Sequence, residues 1–350
     1  MCIRDSANRT QDNSSTNSIR IDTGIPELER VSLASNNPDN STAMAGDRVT
    51  LQVHSNEALS NLNVVNEDGS LQPFTIVGED GIHWIYGYDI QPGDTGLVDF
   101  RLSFMDLVGN TGIEVTQTTD QSSVEIDTTL PEILNDFITS TNQDPNWAKY
   151  GDNVTVTFQT SEAVLGIYDN ISVSGLSGIK TTGNDNKTQW SVNGPVESNA
   201  SGNVTFSLSM QDAAGNQSPL ITIADNGSVE IDTQKPSLDN ITLVSSNHHH
   251  ASYAKDGDNL TLRFNVLGSE VIQTPTVLIE GLEIAATESG GYWEAVYLVG
   301  PNDNGSADFL IAFKDRAGNL GDNVSGPLLS QNQIILDNDD PYLTEVIIVS

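Results

Sequence analysis

Val124-Glu125-Ile126-Asp127-Thr128-Thr129-Leu130-Pro131 decides the fold, because its kernel, Ile-Asp-Thr-x-x-Pro, returns around Asp22 and Asp232 and, altered to Leu336-Asp337-Asn338, around Asp337. The intervals between Asp22, Asp127, Asp232 and Asp337 are all 105 residues. A period that long marks a whole folded unit copied in tandem, larger than a solenoid turn and able to hold its own core. Other landmarks keep step without being rigid. Gly46-Asp47 returns as Gly151-Asp152 and Gly257-Asp258, and Trp84 as Trp190 and Trp293. Glu57 returns as Glu162 and Glu270, and Asp106 as Asp212 and Asp315, each of these aspartates opening an Asp-x-x-Gly-Asn turn. Loops absorb small gains and losses that strands would not tolerate.

The period sets the organisation. Full repeats are expected over 23–127, 128–232 and 233–337, after the end of an earlier one at 7–22 and before the start of another at 338–350. Met1-Cys2-Ile3-Arg4-Asp5-Ser6, residues 1–6, reads as a translated sequencing adapter and holds the one cysteine of the chain.

Within a repeat the apolar period is two, the mark of a half-buried strand. Val49, Leu51 and Val53 alternate with Thr50, Gln52 and His54, and Val98, Phe100, Leu102 and Phe104 alternate with Asp99, Arg101 and Ser103. Their counterparts are Val154, Val156, Phe158 and Leu260, Leu262, Phe264 for the first run, and Val204, Phe206, Leu208, Met210 and Ala307, Phe309, Ile311, Phe313 for the second. No helical stripe is sustained. About seven short runs between Gly, Asn, Asp and Pro predict an all-β chain of tandem antiparallel sandwiches. In the first repeat the strands are expected at 29–35 (A), 48–55 (B), 62–65 (C), 73–77 (D), 83–89 (E), 97–104 (F) and 123–126 (G). The recurrent Trp on strand E is expected to anchor the core.

With 48 acidic against 14 basic residues, the chain has a formal net charge of −34. Nucleic acid and anionic membrane surfaces are poor partners for it, since both need clustered Lys and Arg. No apolar run has the length of a membrane span. The repeats contain no cysteine, so no disulfide joins strands B and F. Acidity, Asn/Ser/Thr/Gly richness and tandem sandwiches together point to a bacterial exterior.

The series of Ile-Asp-Thr-x-x-Pro, Gly-Asp before strand B, Ser-Glu after it, Trp on E and Asp-x-x-Gly-Asn after F resembles bacterial immunoglobulin-like repeats. Such repeats build very large secreted or surface-anchored proteins, often adhesins. The likeness runs from Ile21 to Pro341. It implies an immunoglobulin-like sandwich and a structural or adhesive task. The arrangement is also similar to cadherin repeats, which bind calcium at domain junctions. It departs from them in lacking an Asp-x-Asn-Asp-Asn linker, in having Asn56-Glu57 for Ser-Glu, and in its last linker, Leu336-Asp337-Asn338.

In this topology the B–C and F–G loops lie where strand A begins, beside the preceding linker. Asp22, Glu57, Asp106 and Asn110 should converge there, as should Asp127, Glu162, Asp212 and Asn216, and then Asp232, Glu270, Asp315 and Asn319. The E–F loop of the repeat above should add Asp94 to one junction and Glu197 to the next. Two readings stand. Calcium takes six to eight oxygen ligands, which such junctions could supply. Alternatively this is turn chemistry alone: Asp accepts backbone N–H bonds, Gly takes positive φ, and Asn tolerates the left-handed region.

No Ser/His/Asp set recurs, no phosphate loop opens a helix, and no enzyme activity is expected. His54 and His83 lack copies and read as solvent-facing; His248-His249-His250 reads as an exposed loop. The expected function is a semi-rigid extracellular stalk whose partners are its own neighbouring repeats. The alternatives are repeats that bind a cell-surface glycan or protein, with Tyr86, Tyr88 and Trp147 as exposed aromatics, and a spacer in a secreted enzyme.

Overall fold

The computed structural model describes residues 21–66, 74–167, 172–222, 226–327, 333–342 and 344–347. The adapter-like hexapeptide and residues 7–20 of the segment after it lie outside the described residues. The described residues contain no helix, so none is long and apolar enough to cross a membrane.

The alternation read in the sequence becomes two facing sheets. In the first repeat, strand B, Arg48–Ser55, turns Val49, Leu51 and Val53 inward and Arg48 and Gln52 outward, as the pleat requires. It pairs antiparallel with A, Leu28–Ser35, and with E, His83–Asp89, which pairs with D, Thr75–Glu79. The order A-B-E-D is one sheet of an immunoglobulin-like sandwich. Opposite it, C, Leu59–Val65, pairs with F, Arg101–Asp106.

Strand F is not the single run over 97–104 that the alternation suggests. Gly96–Leu97 pairs instead with G, Glu125–Ile126, and Val98 donates to the Val124 carbonyl before the chain crosses to C. G also carries a parallel partner, Thr42–Ala43, on its other side. The second and third repeats repeat the A-B-E-D sheet and the three-stranded ribbon around G. The third extends the C–F sheet to four strands, through Leu282–Ile284 and Val324–Ser325.

Three separate apolar cores result, one per repeat, centred on Leu51 and Leu102, on Val156 and Leu208, and on Leu262 and Ile311. Each fully buried Leu or Ile among them contributes roughly 1.5–3 kcal/mol. Trp84 is buried, whereas Trp190 and Trp293 are half-buried at the edge of their cores. The tandem immunoglobulin-like architecture is therefore set by period-two burial repeated unit by unit.

Candidate metal centre at the junctions between repeats

At each junction three carboxylates from separate segments meet. The linker aspartate (Asp22, Asp127, Asp232), the glutamate after strand B (Glu57, Glu162, Glu270) and the aspartate after strand F (Asp106, Asp212, Asp315) place oxygens within 4.8 Å of one another. Strand F delivers its aspartate into the interior: Asp106 and Asp212 are 1 % exposed and Asp315 is 0 %.

Backbone geometry explains how a buried carboxylate is held there. The turn glycines Gly109, Gly215 and Gly318 have φ of 99°, 102° and 85°, the left-handed region that favours glycine. That bend aims successive N–H groups at one carboxylate oxygen. Asp106 Oδ1 accepts from the backbones of Val108, Gly109 and Asn110 at 2.7–2.9 Å. Asp212 Oδ1 accepts from Gly215 and Asn216, and Asp315 Oδ1 from Asn319.

The asparagine that closes each turn does something other than tolerate a left-handed backbone. Asn110, Asn216 and Asn319 have no positive φ. Their side-chain nitrogens donate to the second oxygen of the turn aspartate at 2.7–2.8 Å. The same nitrogens donate to the backbone carbonyl of the linker aspartate, at 3.4 Å for Asp22, 2.9 Å for Asp127 and 2.8 Å for Asp232. A flipped amide would set oxygen against two oxygens, so the orientation is determined by its partners. These residues clamp the linker to the repeat below; their nitrogen, which cannot ligate a hard cation, faces the carboxylates.

The linker is also held from above. Thr128 accepts from Gly93 N–H and donates to the Asp94 carbonyl, both at 3.0 Å, and Thr233 donates to the Ala200 carbonyl at 2.9 Å. Asn338 replaces this threonine and preserves the grip, donating to the carbonyls of Gly300 and Asp303. The E–F loop thus reaches the junction as expected, but not through its acids. The Asp94 carboxylate accepts from Tyr88 hydroxyl and Gln91 N–H, and Glu197 is exposed; neither is in a triad.

The linker aspartates also cap their own turns: Asp127 Oδ1 accepts from Thr129 N–H and hydroxyl at 2.9 and 2.6 Å. Turn chemistry and carboxylate clustering therefore coexist. The Asn56 departure is functional replacement, since Asn56 accepts the Glu27 N–H at 2.9 Å just as Ser161 accepts that of Glu132.

The clustered charge has a consequence for ionisation. Burial, then the negative charges of Asp127 and Asp212, push Glu162 up to about 7. Glu270 is raised by burial and by Asp232 and Asp315. Burial also raises Asp315, helped by Asp232 and opposed by its Asn319 bonds. Burial pushes Asp106 up too, but its bonds to Asn110, Val108 and Gly109 outweigh that and leave it lowered. Asp106 has the additional Val108 donor and lacks the repulsion that Asp232 exerts on Asp315, in keeping with the opposite directions.

All-oxygen, all-carboxylate donors suit a hard cation, and 4.8 Å separations fit one ion with bonds of about 2.3–2.6 Å. Softer metals prefer imidazole or thiolate, and neither is present in the triads. Backbone carbonyls and water would complete the shell.

A second set of residues, which the motif reading passed over, joins adjacent repeats directly. Asn37 donates to the Ala214 carbonyl in the next repeat and to Asp47, at 2.8 Å each. Asn142 donates to the Ala317 carbonyl at 2.8 Å and to Asp152 at 2.7 Å. The acceptors lie inside the Asp-x-x-Gly-Asn turns. The recurrent Gly-Asp therefore positions an inter-repeat donor. The signal was available: Asn37, Asn142 and Asn247 are spaced by 105 residues, each two after a serine that accepts its N–H.

The expected glycan aromatics divide. Tyr86 and Tyr88 are 3 % and 4 % exposed, so neither is a surface platform. They share the inward parity of Trp84 on strand E, and Tyr86 donates its hydroxyl to the Leu62 carbonyl. Trp147 is half-buried beside a cleft. His54 and His83 stack on the outer face, and His248, His249 and His250 are exposed.

No family model matches the chain, and no curated protein does. Among solved structures it is similar to a three-domain I-band fragment of titin, with TM-score 0.41 and 11% identity, covering 85% of this chain and 96% of that one. It is also similar to a complex of the immunoglobulin domains of Dpr2 and DIP-Theta, with TM-score 0.31 and 15% identity, covering 89% and 99%. These superpositions are too loose to carry an inference about function, and the fold assignment rests on the sheet order itself.

Proposed function

We propose that this chain is a segment of an extracellular, repeat-built bacterial surface protein or adhesin. Its repeats act as a stalk, stiffened where calcium occupies the junction carboxylates. The observation that carries this reading is the recurrence of one triad, assembled from three distant segments, at three successive junctions. Turn chemistry accounts for the linker aspartate and the aspartate after strand F but does not require the glutamate, and the recurrent arrival of that third carboxylate favours a cation.

The chain's own groups supply the rest of the mechanism. Thr128 ties the linker to the repeat above, and Asn216 ties it to the repeat below. The linker aspartate and the turn aspartate thus belong to elements whose relative position sets the angle between repeats. A cation bridging Asp127, Glu162 and Asp212 would remove the repulsion among them and oppose bending. Affinity of extracellular calcium modules is about 10⁻⁴–10⁻³ M, adequate outside a cell.

The test is the melting temperature and the small-angle scattering of the chain with calcium and with chelator. Calcium is expected to raise the first and lengthen the particle. Glu162→Ala and Asp212→Ala should each abolish the contribution of the same junction. Identical melting and scattering in both conditions would leave turn chemistry as the whole account.

A further inference from the structure

The two complete inter-repeat seams are built alike but lined differently. Where the second repeat meets the third, a cleft of about 790 Å³ opens beside the Asn142–Ala317 bond. That size is within the roughly 300–1,000 Å³ usual for ligand pockets. Trp147, Lys149, Lys314 and Arg316 line it, with Gln143 and Gln273. At the corresponding positions of the preceding seam stand Thr42, Met44, Gln211 and Ala213. The residues that build the seam, Asn37 and Asn142 or Ala214 and Ala317, recur at both. The aromatic ring and the three cations occur at one only. Structural need explains the first group and does not explain the second.

The charges are out of keeping with the chain. Three of its 14 basic residues gather here, in a protein of net charge −34. Among the described residues, Lys314 and Arg316 have no carboxylate within salt-bridge distance, while Arg48, Arg101 and Arg263 do. Lys149 reaches the Gly318 carbonyl across the seam at 3.4 Å. The cleft also holds two acids, whose carboxylates are held by neutral donors: Asp152 accepts from Asn142 and from Lys149 N–H, and Asp144 accepts from Asn146 N–H.

We propose that this cleft binds an acidic saccharide, a sugar chain bearing carboxylate or sulfate groups. The indole of Trp147 offers an apolar plane for the C–H face of a sugar ring. Lys314 and Arg316 would take the anionic substituent, Arg316 by paired donors suited to a planar or tetrahedral oxyanion. Gln143 and Gln273 would meet ring hydroxyls. The general acidity of the chain does not forbid this, because charges beyond a Debye length of about 8 Å are screened at physiological salt. Attraction inside the cleft is therefore governed by the charges that line it, Lys149, Lys314 and Arg316 against Asp144 and Asp152.

Binding is tested on the full chain by calorimetry with three probes: a polygalacturonate oligomer, dextran sulfate and unsulfated dextran. At least one anionic probe should bind and dextran should not, and whichever binds identifies carboxylate or sulfate as the recognised group. Trp147→Ala should weaken that binding by about tenfold or more. Lys314→Gln with Arg316→Gln, both away from the core, should abolish it while leaving the melting temperature unchanged. Thr42→Ala at the other seam should have no effect. Absence of binding by both anionic probes at millimolar concentration would overturn the proposal. So would binding that the charge variant loses but Trp147→Ala and Trp147→Phe retain in full, since that is mere polyanion attraction.

Discussion

Asn142 in the second repeat donates one amide hydrogen to the Ala317 carbonyl of the third repeat and the other to Asp152 in its own, at 2.8 and 2.7 Å. One side chain thereby fixes the loop before strand B and fastens it to the turn that carries Asp315. The turn that presents the metal-candidate carboxylate is thus also the turn that receives the neighbouring repeat.

Asn142→Ala should loosen this seam without unfolding either repeat. A hydrogen bond of this kind contributes about 0.5–1.5 kcal/mol net, so the loss is felt as bending more than melting. Small-angle scattering should report a broader distribution of lengths, with urea midpoints shifted only slightly.

Asn216→Ala is expected to be costlier. It leaves the buried Asp212 carboxylate and the Asp127 carbonyl each short of a donor. An unsatisfied buried group costs about 1–3 kcal/mol, and the urea midpoint of the second repeat should fall accordingly. Ala214→Gly, two positions earlier in the same turn, should not reproduce it.

The pH dependence follows from Glu162, raised by burial and by Asp127 and Asp212 from 4.5 to about 7. A carboxyl raised on folding contributes stability that is complete below about 4.5 and is lost as pH rises through about 7. The metal-free chain should therefore melt lower at pH 8 than at pH 5. Glu162→Gln should flatten that slope. Calcium should reverse it, because the cation binds the deprotonated form and releases protons near neutrality.

Thr128→Val should disconnect the linker from the E–F loop, removing the bonds to Asp94 and Gly93. The repeats keep their cores, and amide exchange should quicken at Gly93 and through the linker but not in strand B.

Much of this architecture is legible in the sequence alone, for identifiable reasons. Period-two burial sets strands B and E, and those two match their expected bounds, Arg48–Ser55 and His83–Asp89. The convergence of Glu162 with Asp212 follows from strand direction alone. Tyr86 and Tyr88, expected as exposed aromatics, are buried because they share the parity of Trp84 on strand E. The role of Asn110 and its copies was hidden because an asparagine after glycine suggests backbone tolerance, whereas here the side chain carries the bonds. The Asn37–Ala214 contact spans 177 residues and depends on how one repeat sits on the next, which a period cannot encode.

Calcium titration by calorimetry at pH 7.5, on the unmodified chain and on Glu162→Gln, tests the central claim most directly. The account predicts occupancy of the three triads at about 10⁻⁴–10⁻³ M, with one site lost in the variant. No heat at millimolar calcium, or an unchanged stoichiometry in Glu162→Gln, would contradict it.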